Sequence, residues 1–337
     1  MHANEGCSQF LRFRWSAVFA GALFAAQSCG AAVGAWKPDQ NVEIVIPTSP
    51  GTGSDATGRR IQSLLRDKSL VQVSTAVVNK PGGATSIATA YVNQHAGNGH
   101  YLMLTTISLL TGHIIGASKV TYTDTTPLGQ IGTESVAAVV RADSRFKTPR
   151  DLANAFKADP AGVTVAFANA LGNHNHIAAA QVARSAGANP RQMKTVVFNG
   201  SGEAITALLG GHVDVVTISA SPVLRHVSAG KLKILAVSAE QRLGGELARV
   251  PTWKELGIAS VSSNWRSLVG PKVMTEAQIN YWDEVIGKLA RLPEWKEELE
   301  KDLIEPTYLN ARDTKKRMET EYAELSRLLG ELGLARQ

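Results

Sequence analysis

The stretch VEIVIPTSPGTGSDATGRRIQSLLRD, residues 42–67, decides the fold class. Val42 to Ile46 alternates β-branched residues around one acid, which predicts a strand. Pro47 to Ser54 is a Gly/Ser/Thr/Pro loop. From Asp55 to Asp67 the apolar residues Ile61, Leu64 and Leu65 recur at helical spacing. Outward from this unit the same order repeats. Ser74–Val78 reads as a strand, Asn79–Gly83 as a turn, Ser86–Gln94 as a helix and Tyr101–Thr105 as a third strand. Strands alternating with helices indicate an α/β fold with a largely parallel sheet. The pattern returns at strand Val163–Phe167, loop Ala168–His174 and helix Asn175–Ser185. It returns again at strand Thr195–Phe198, loop Asn199–Gly202 and helix Glu203–Leu209. Val136–Arg141, Val213–Ile218 and Lys233–Val237 are further strands, Pro149–Ala158 is a short helix, and the tail is helical.

Chain length supports two such units, since 337 residues exceed the usual ~150 of one domain. No Pro/Gly/Ser linker separates an N-terminal half from a C-terminal half, so the chain is expected to cross between lobes more than once. The crossings are expected near residues 134 and 233. That gives lobe 1 as 36–133 plus 234–337 and lobe 2 as 134–233. With 44% apolar and 19% charged residues the composition is globular. The formal charge of +6 is spread without a Lys/Arg block, which argues against a nucleic-acid binder.

Residues 1–35 read as an export signal rather than fold. Arg12 and Arg14 precede an apolar run from Trp15 to Ala26, and small residues follow to Ala35. The run is about 12 residues, too short to span a bilayer. Cleavage after Ala35 is expected, and acylation of Cys29 is the less favoured alternative. Both cysteines, Cys7 and Cys29, lie in this segment. The remainder is expected to be a soluble, monomeric, periplasmic protein without thiol chemistry, cofactor or metal.

Three strand-to-helix loops carry the candidate site: Thr48–Asp55, Asn169–His174 and Asn199–Glu203. A helix N-terminus offers unpaired N–H groups and a positive dipole end, which favour a carboxylate or phosphate. Glycines let that backbone approach a ligand closely. The candidate ligand-binding residues are Ser49, Gly51, Thr52, Gly53, Ser54 and Asp55 in the first lobe, with Thr106 beyond the third strand. In the second they are Asn173, His174, Asn199, Gly200 and Ser201. Asp55 reads either as a capping or first-turn acid that complements the dipole, or as a residue that accepts from a ligand hydroxyl or fixes the loop. His174 reads as a pocket wall or helix cap and His176 as a packed side chain. Their H-x-H spacing declares no further metal ligand. Trp265 reads as core and Arg266 as a surface residue, with a bidentate carboxylate clamp as the alternative. No catalytic signature is present: no G-x-S-x-G, Walker loop, H-E-x-x-H or complete G-x-G-x-x-G.

These segments, in this order, resemble the Bug-type solute receptors of tripartite tricarboxylate transporters. The match is carried by Pro47 through Asp55, Asn79-Lys-Pro-Gly-Gly83, Asn98-Gly-His-Tyr101 and Gly172-Asn-His-Asn-His-Ile177. It continues through Gly211-His-Val-Asp214, Val250-Pro-Thr-Trp-Lys-Glu-Leu-Gly257, and Trp265 leading to Pro271. The resemblance implies a two-lobed, flytrap-like periplasmic-binding-protein fold, each lobe a mostly parallel sheet flanked by helices. It implies a small organic carboxylate in the inter-lobe cleft and delivery to integral-membrane permease subunits. Asn173 stands where the family usually has Ser, and His174 is an extra residue, so the identity of the carboxylate stays open. An exported enzyme or a sensory module on the same lobes is the alternative.

Overall fold

The computed structural model describes residues 36–168 and 170–336. The expected export signal, its cleavage point and Cys29 lie outside the described residues. Strand β1 (Val42–Ile46) leads into helix α1 (Gly53–Asp67), and β2 (Thr75–Asn79), α2 (Ser86–Asn93), β3 (Tyr101–Thr105) and α3 (Ser108–Ile114) follow. The long strand β4 (Thr125–Arg141) comes next. After it the chain runs through α4 (Pro149–Ala158), β5 (Thr164–Ala168), α5 (His174–Ser185), β6 (Lys194–Phe198), α6 (Ser201–Leu209) and β7 (Val215–Ser219). It continues through α7 (Leu224–Ser228), β8 (Leu232–Val237) and β9 (Ser263–Pro271). The C-terminal part is α8 (Glu276–Arg291), α9 (Pro293–Lys301), the short strands β10 (Ile304–Glu305) and β11 (Leu309–Asn310), and α10 (Ala311–Glu331).

Strand β4 belongs to two sheets. Its first part, Thr125–Ser135, pairs antiparallel with β9, and β9 pairs with β3 beside the parallel set β2-β1-β3. Its second part, Val136–Arg141, lies between β7 and β8, and β7-β5-β6 are parallel. The result is the mixed α/β, two-lobed fold expected from the repeated strand-loop-helix units. Two boundaries differ from expectation. Strand β4 begins at Thr125 rather than Val136, because Pro127, Gly129 and Gly132 hide the strand pattern. The register slips at those same places, between Pro127 and Gly129 and between Gln130 and Gly132. The return to the first sheet also comes later than residue 233. β8 pairs with β4 in the second sheet, and the chain rejoins the first at Ser263, opposite Ser135.

Alternation along the strands sorts the core into three layers. On β1 and β3, Ile44, Ile46, Leu102 and Leu104 face one layer with Ile61, Leu64, Trp282 and Trp295. Val45 and Met103 face the other way, into a layer shared with Val165, Phe167, Ile177, Leu325 and Leu328. On β4, Ala138 and Val140 join this shared layer, while Ala137 and Val139 face a third layer around Leu208 and Ile218. One apolar layer thus runs under both sheets and holds α3, α5 and α10.

Local signals set the helix ends. Thr148 with Asp151 and Thr275 with Gln278 form capping boxes, and Pro293 occupies the first turn of α9. Helix α3 packs on the turn Gly83–Thr85, where Ala84 holds a left-handed φ of 47°. A Cβ at Gly112 would lie 2.8 Å from the Ala84 Cβ and 3.1 Å from its carbonyl oxygen. Gly112→Ala is therefore expected to destabilise the protein by about 1–3 kcal/mol through overpacking. Urea denaturation reads this, and an unchanged midpoint would show that the turn yields freely.

Candidate functional site

The first loop is built by its own side chains. Thr52 caps α1: its Oγ1 accepts the Asp55 N–H at 3.3 Å and donates to the Ser49 carbonyl at 3.0 Å. The Thr48 hydroxyl lies 2.6 Å from that of Thr52. Asp55 is buried, and both its oxygens are engaged. Oδ2 accepts from the Gly51 N–H at 2.9 Å and the Arg59 Nε at 3.0 Å, and Oδ1 accepts from Asn79 Nδ2 at 2.9 Å. The Arg59, Gly51 and Asn79 donors hold its carboxyl at about 2. Of the roles open to Asp55, the structure supports the loop-fixing one. Gly51 takes φ +81°, which only glycine adopts without strain, and so lets the loop turn back onto Asp55.

The second loop uses the same device. Asn173 caps α5: its Oδ1 accepts the His176 N–H at 3.0 Å and its Nδ2 donates to the Ala168 carbonyl at 2.6 Å. Both polar atoms of that side chain serve the loop, so a ligand would meet its backbone. His176 is packed, as expected. It stacks on Phe167 at 4.9 Å, and its Nδ1 accepts the Gly172 N–H at 3.0 Å. That bond requires the neutral ring, and burial pulls its pKa down to about 4. The second and third loops are placed differently. A Cβ at Gly172 would sit 3.1 Å from Ile115 Cγ2, so this loop packs on the end of α3, which starts beyond Thr106. The third loop is exposed at Asn199, whose N–H donates to Glu203 at 3.2 Å. It lies one strand further out, because β6 is the edge neighbour of β5.

Between the first two loops lie residues of the crossing strands. Arg266 on β9 is buried at 7% exposure, against the expectation of a surface residue. Its Nη1 donates to Thr57 Oγ1, and that hydroxyl donates to the Gly53 carbonyl at 2.8 Å. Its Nη2 would lie 3.7 Å from a Cβ at Gly53, directly under the first turn of α1. Nη2 is also 3.9 Å from Glu134 Oε2 on β4. Asn264 Nδ2 donates to the same oxygen at 3.3 Å. His174 completes the set. Its carbonyl accepts the Ser262 hydroxyl at 3.2 Å. Burial pushes its imidazole pKa down, and the Glu134 charge opposes the shift. The structure thus joins Gly53, Arg266 and Glu134 in one run, with His174 within electrostatic reach of Glu134. Trp265 points away into the core, where its Nε1 donates to Glu321 Oε2 at 2.7 Å.

Sequence reasoning missed Glu134 and discounted Arg266. The available signal was the single acid of β4 and the single base of β9, each within a mostly uncharged segment. Charges in such places need partners. Among the described residues, no group of three or more His, Cys, Asp or Glu is placed to hold a metal ion.

Two pH effects follow from the loops. His176 has a folded pKa below its ordinary 6.5, so the unfolded chain binds the extra proton between about 6.5 and about 4. Stability is then full above 6.5 and falls as the pH drops toward 4, by about 3 kcal/mol. His176→Gln should lose much less over this window in pH-dependent urea melts. An equal loss in both proteins would reject the assignment. Asp55→Asn should lower the melting temperature at neutral pH. Its deficit relative to wild type should shrink as pH falls from 3.8 to about 2, where the native carboxylate itself takes a proton.

Comparisons with known proteins identify the family and fold. The family model described as "Tripartite tricarboxylate transporter family receptor" matches residues 58–334. Protein BugT of Bordetella pertussis is 30% identical over 241 residues, 70% of this chain and 72% of that protein. A crystal structure of a TctC solute binding protein from Polaromonas is 29% identical with a TM-score of 0.77, covering 88% of this chain and 99% of that one. The structure of R. palustris Rpa4515 with adipate shares the fold at a TM-score of 0.72 and 20% identity, over 88% of this chain and 99% of that one. Among the described residues, no helix is long and apolar enough to cross a membrane. The chain belongs to the tripartite tricarboxylate transporter receptor family, whose structural relatives are solute-binding proteins.

Proposed function

We propose that this protein is a periplasmic receptor that captures a small organic carboxylate between its two lobes. It hands the ligand to the integral-membrane permease subunits of a tripartite tricarboxylate-type transporter and performs no chemistry on it. The protein acts as a monomer after loss of residues 1–35. The lobes hinge where β4 passes Ser135 and where the chain returns before Ser263. The observation that carries the reading is the buried Arg266 guanidinium beneath the first turn of α1, beside Gly53. A guanidinium then lies close to a helix terminus whose N–H groups and dipole favour a carboxylate. The adipate held by the R. palustris structure supports the same ligand class.

In this reading the ligand's carboxylate rests on the N–H groups of Gly53 and Ser54, with the Ser49 and Thr52 region as rim. The backbone around Asn173 and His174 closes over it from the second lobe. Thr106 and the Asn199–Ser201 turn line the approach. Thermal shifts of the exported protein with a panel of mono-, di- and tricarboxylates test the reading. A ligand at a hundred times its Kd stabilises the fold by about 2.7 kcal/mol. Gly53→Val places branched carbons where the carboxylate would sit. It should weaken binding at least about tenfold, or 1.4 kcal/mol, with little change in the melting temperature of the free protein. Failure of every carboxylate to shift the melt, or unchanged affinity in Gly53→Val, would reject the site.

A further inference from the structure

We infer that the ligand carries a hydrogen-bond donor, a hydroxyl or ammonium group, beside its carboxylate, and that Glu134 is the residue that reads it. This inference rests on the carboxylate reading of the site. An acid in an anion-binding cleft is costly, because it repels the ligand as the lobes close and the local dielectric falls. Glu134 is there by strand geometry. Alternation on β4 sends the Ser135 side chain to the other face, where its hydroxyl donates to Glu305 at 2.9 Å. Glu134 therefore faces Asn264 and Arg266, its neighbours across β9.

Those neighbours do not use up its acceptor capacity. The Asn264 contact at 3.3 Å and the Arg266 contact at 3.9 Å both fall on Oε2. Both are longer than the 2.7–2.9 Å usual for a charge-assisted hydrogen bond. Arg266 is drawn instead toward Thr57 through its other amino group. The side chain of Glu134 retains 16% exposure, so it is not fully enclosed. His174 adds no fixed positive charge, since burial favours its neutral ring. A carboxylate with room for two to three further hydrogen bonds meets an incoming ligand at this point. A plain carboxylic acid would leave it desolvated and unpaired. An acid with an adjacent O–H or N–H would satisfy it, and would make closure more favourable than for the plain acid.

Isothermal titration with matched trios tests this: succinate, malate and aspartate, then phenylacetate, mandelate and phenylglycine. Within a trio that binds, the wild type should hold a donor-bearing member at least about tenfold tighter than the plain acid. Glu134→Ala should abolish that preference while still binding the plain acid. Glu134→Gln keeps an acceptor without the charge. It should preserve a preference for the hydroxy acid and lose one for the amino acid, which separates the two donors. Circular dichroism melts establish that each variant is folded. If the wild type favours the plain acids, or if Glu134→Ala keeps the wild-type preference, the inference is overturned and the carboxylate site stands. If neither trio binds and no carboxylate of the wider panel binds either, the carboxylate reading falls and the inference falls with it.

Discussion

Strand β4 is the constraint on which the rest of the molecule depends. A single extended segment, Thr125–Arg141, supplies pairing partners to β9, β10 and β11 at one end and to β7 and β8 at the other. From Gly132 to Arg141 the side chains of β4 alternate, so parity over that stretch fixes both sheets at once. A one-residue slip would exchange Ala138 and Val140 with Ala137 and Val139. It would also move Glu134 away from Asn264 and Arg266 and put Ser135 in its place. Such a slip would move two core layers and the site together, so the register is strongly specified. The irregularities at Pro127–Gly129 and Gln130–Gly132 lie on the first-sheet side. There the strand must bend, and tightly packed glycines let Ile286 and Ile304 approach the backbone.

The shared apolar layer determines how two lobes on such a strand can move. Helix α10 packs along β4 and α3, and Leu325, Leu328 and Leu329 enter the layer that also holds α5 residues of the second lobe. Polar contacts pin the same helix to the returning strand. Trp265 donates to Glu321, and Arg317 donates to the Ser263 hydroxyl at 3.0 Å. Close-packed interiors resist continuous deformation. Bending through the layer that holds α3, α5 and α10 is therefore resisted.

What was legible in the sequence was local. The β1–α1 and β5–α5 units, the capping boxes and Pro293 depend on neighbours a few residues away, and each was readable. Strands β9 to β11 and the front half of β4 were not. Their glycines, serines and a proline carry little periodicity, and their stability comes from partners more than a hundred residues distant. The same distinction runs through the site. Asp55 and Asn173 belong to residue types that serve equally as ligand contacts and as caps. Sequence alone could not choose between these roles, and the hydrogen bonds assign both side chains to their own loops. Arg266 and Glu134 lie 132 positions apart, and neither has a local reason to be buried. Only the pairing of β4 with β9 makes them neighbours.

The energetic character of that pair explains why such a costly arrangement is suited to a receptor. Removing a guanidinium and a carboxylate from water is repaid only by short, well-aligned contacts. At 3.9 Å the repayment is incomplete, and Thr57 and Asn264 offset only part of the remainder. A ligand that supplies a carboxylate to Arg266 and a donor to Glu134 would satisfy both charges at once. The desolvation has already been met in folding, so a larger share of each new hydrogen bond is available to hold the lobes together. A receptor built wholly from neutral backbone donors would accept many anions with similar affinity. A preformed but unsatisfied pair of opposite charges sets a directional requirement, since a ligand in the wrong orientation meets repulsion at both ends. In the proposed site, selectivity would therefore arise from the strand that joins the two sheets as much as from the helix termini beside it.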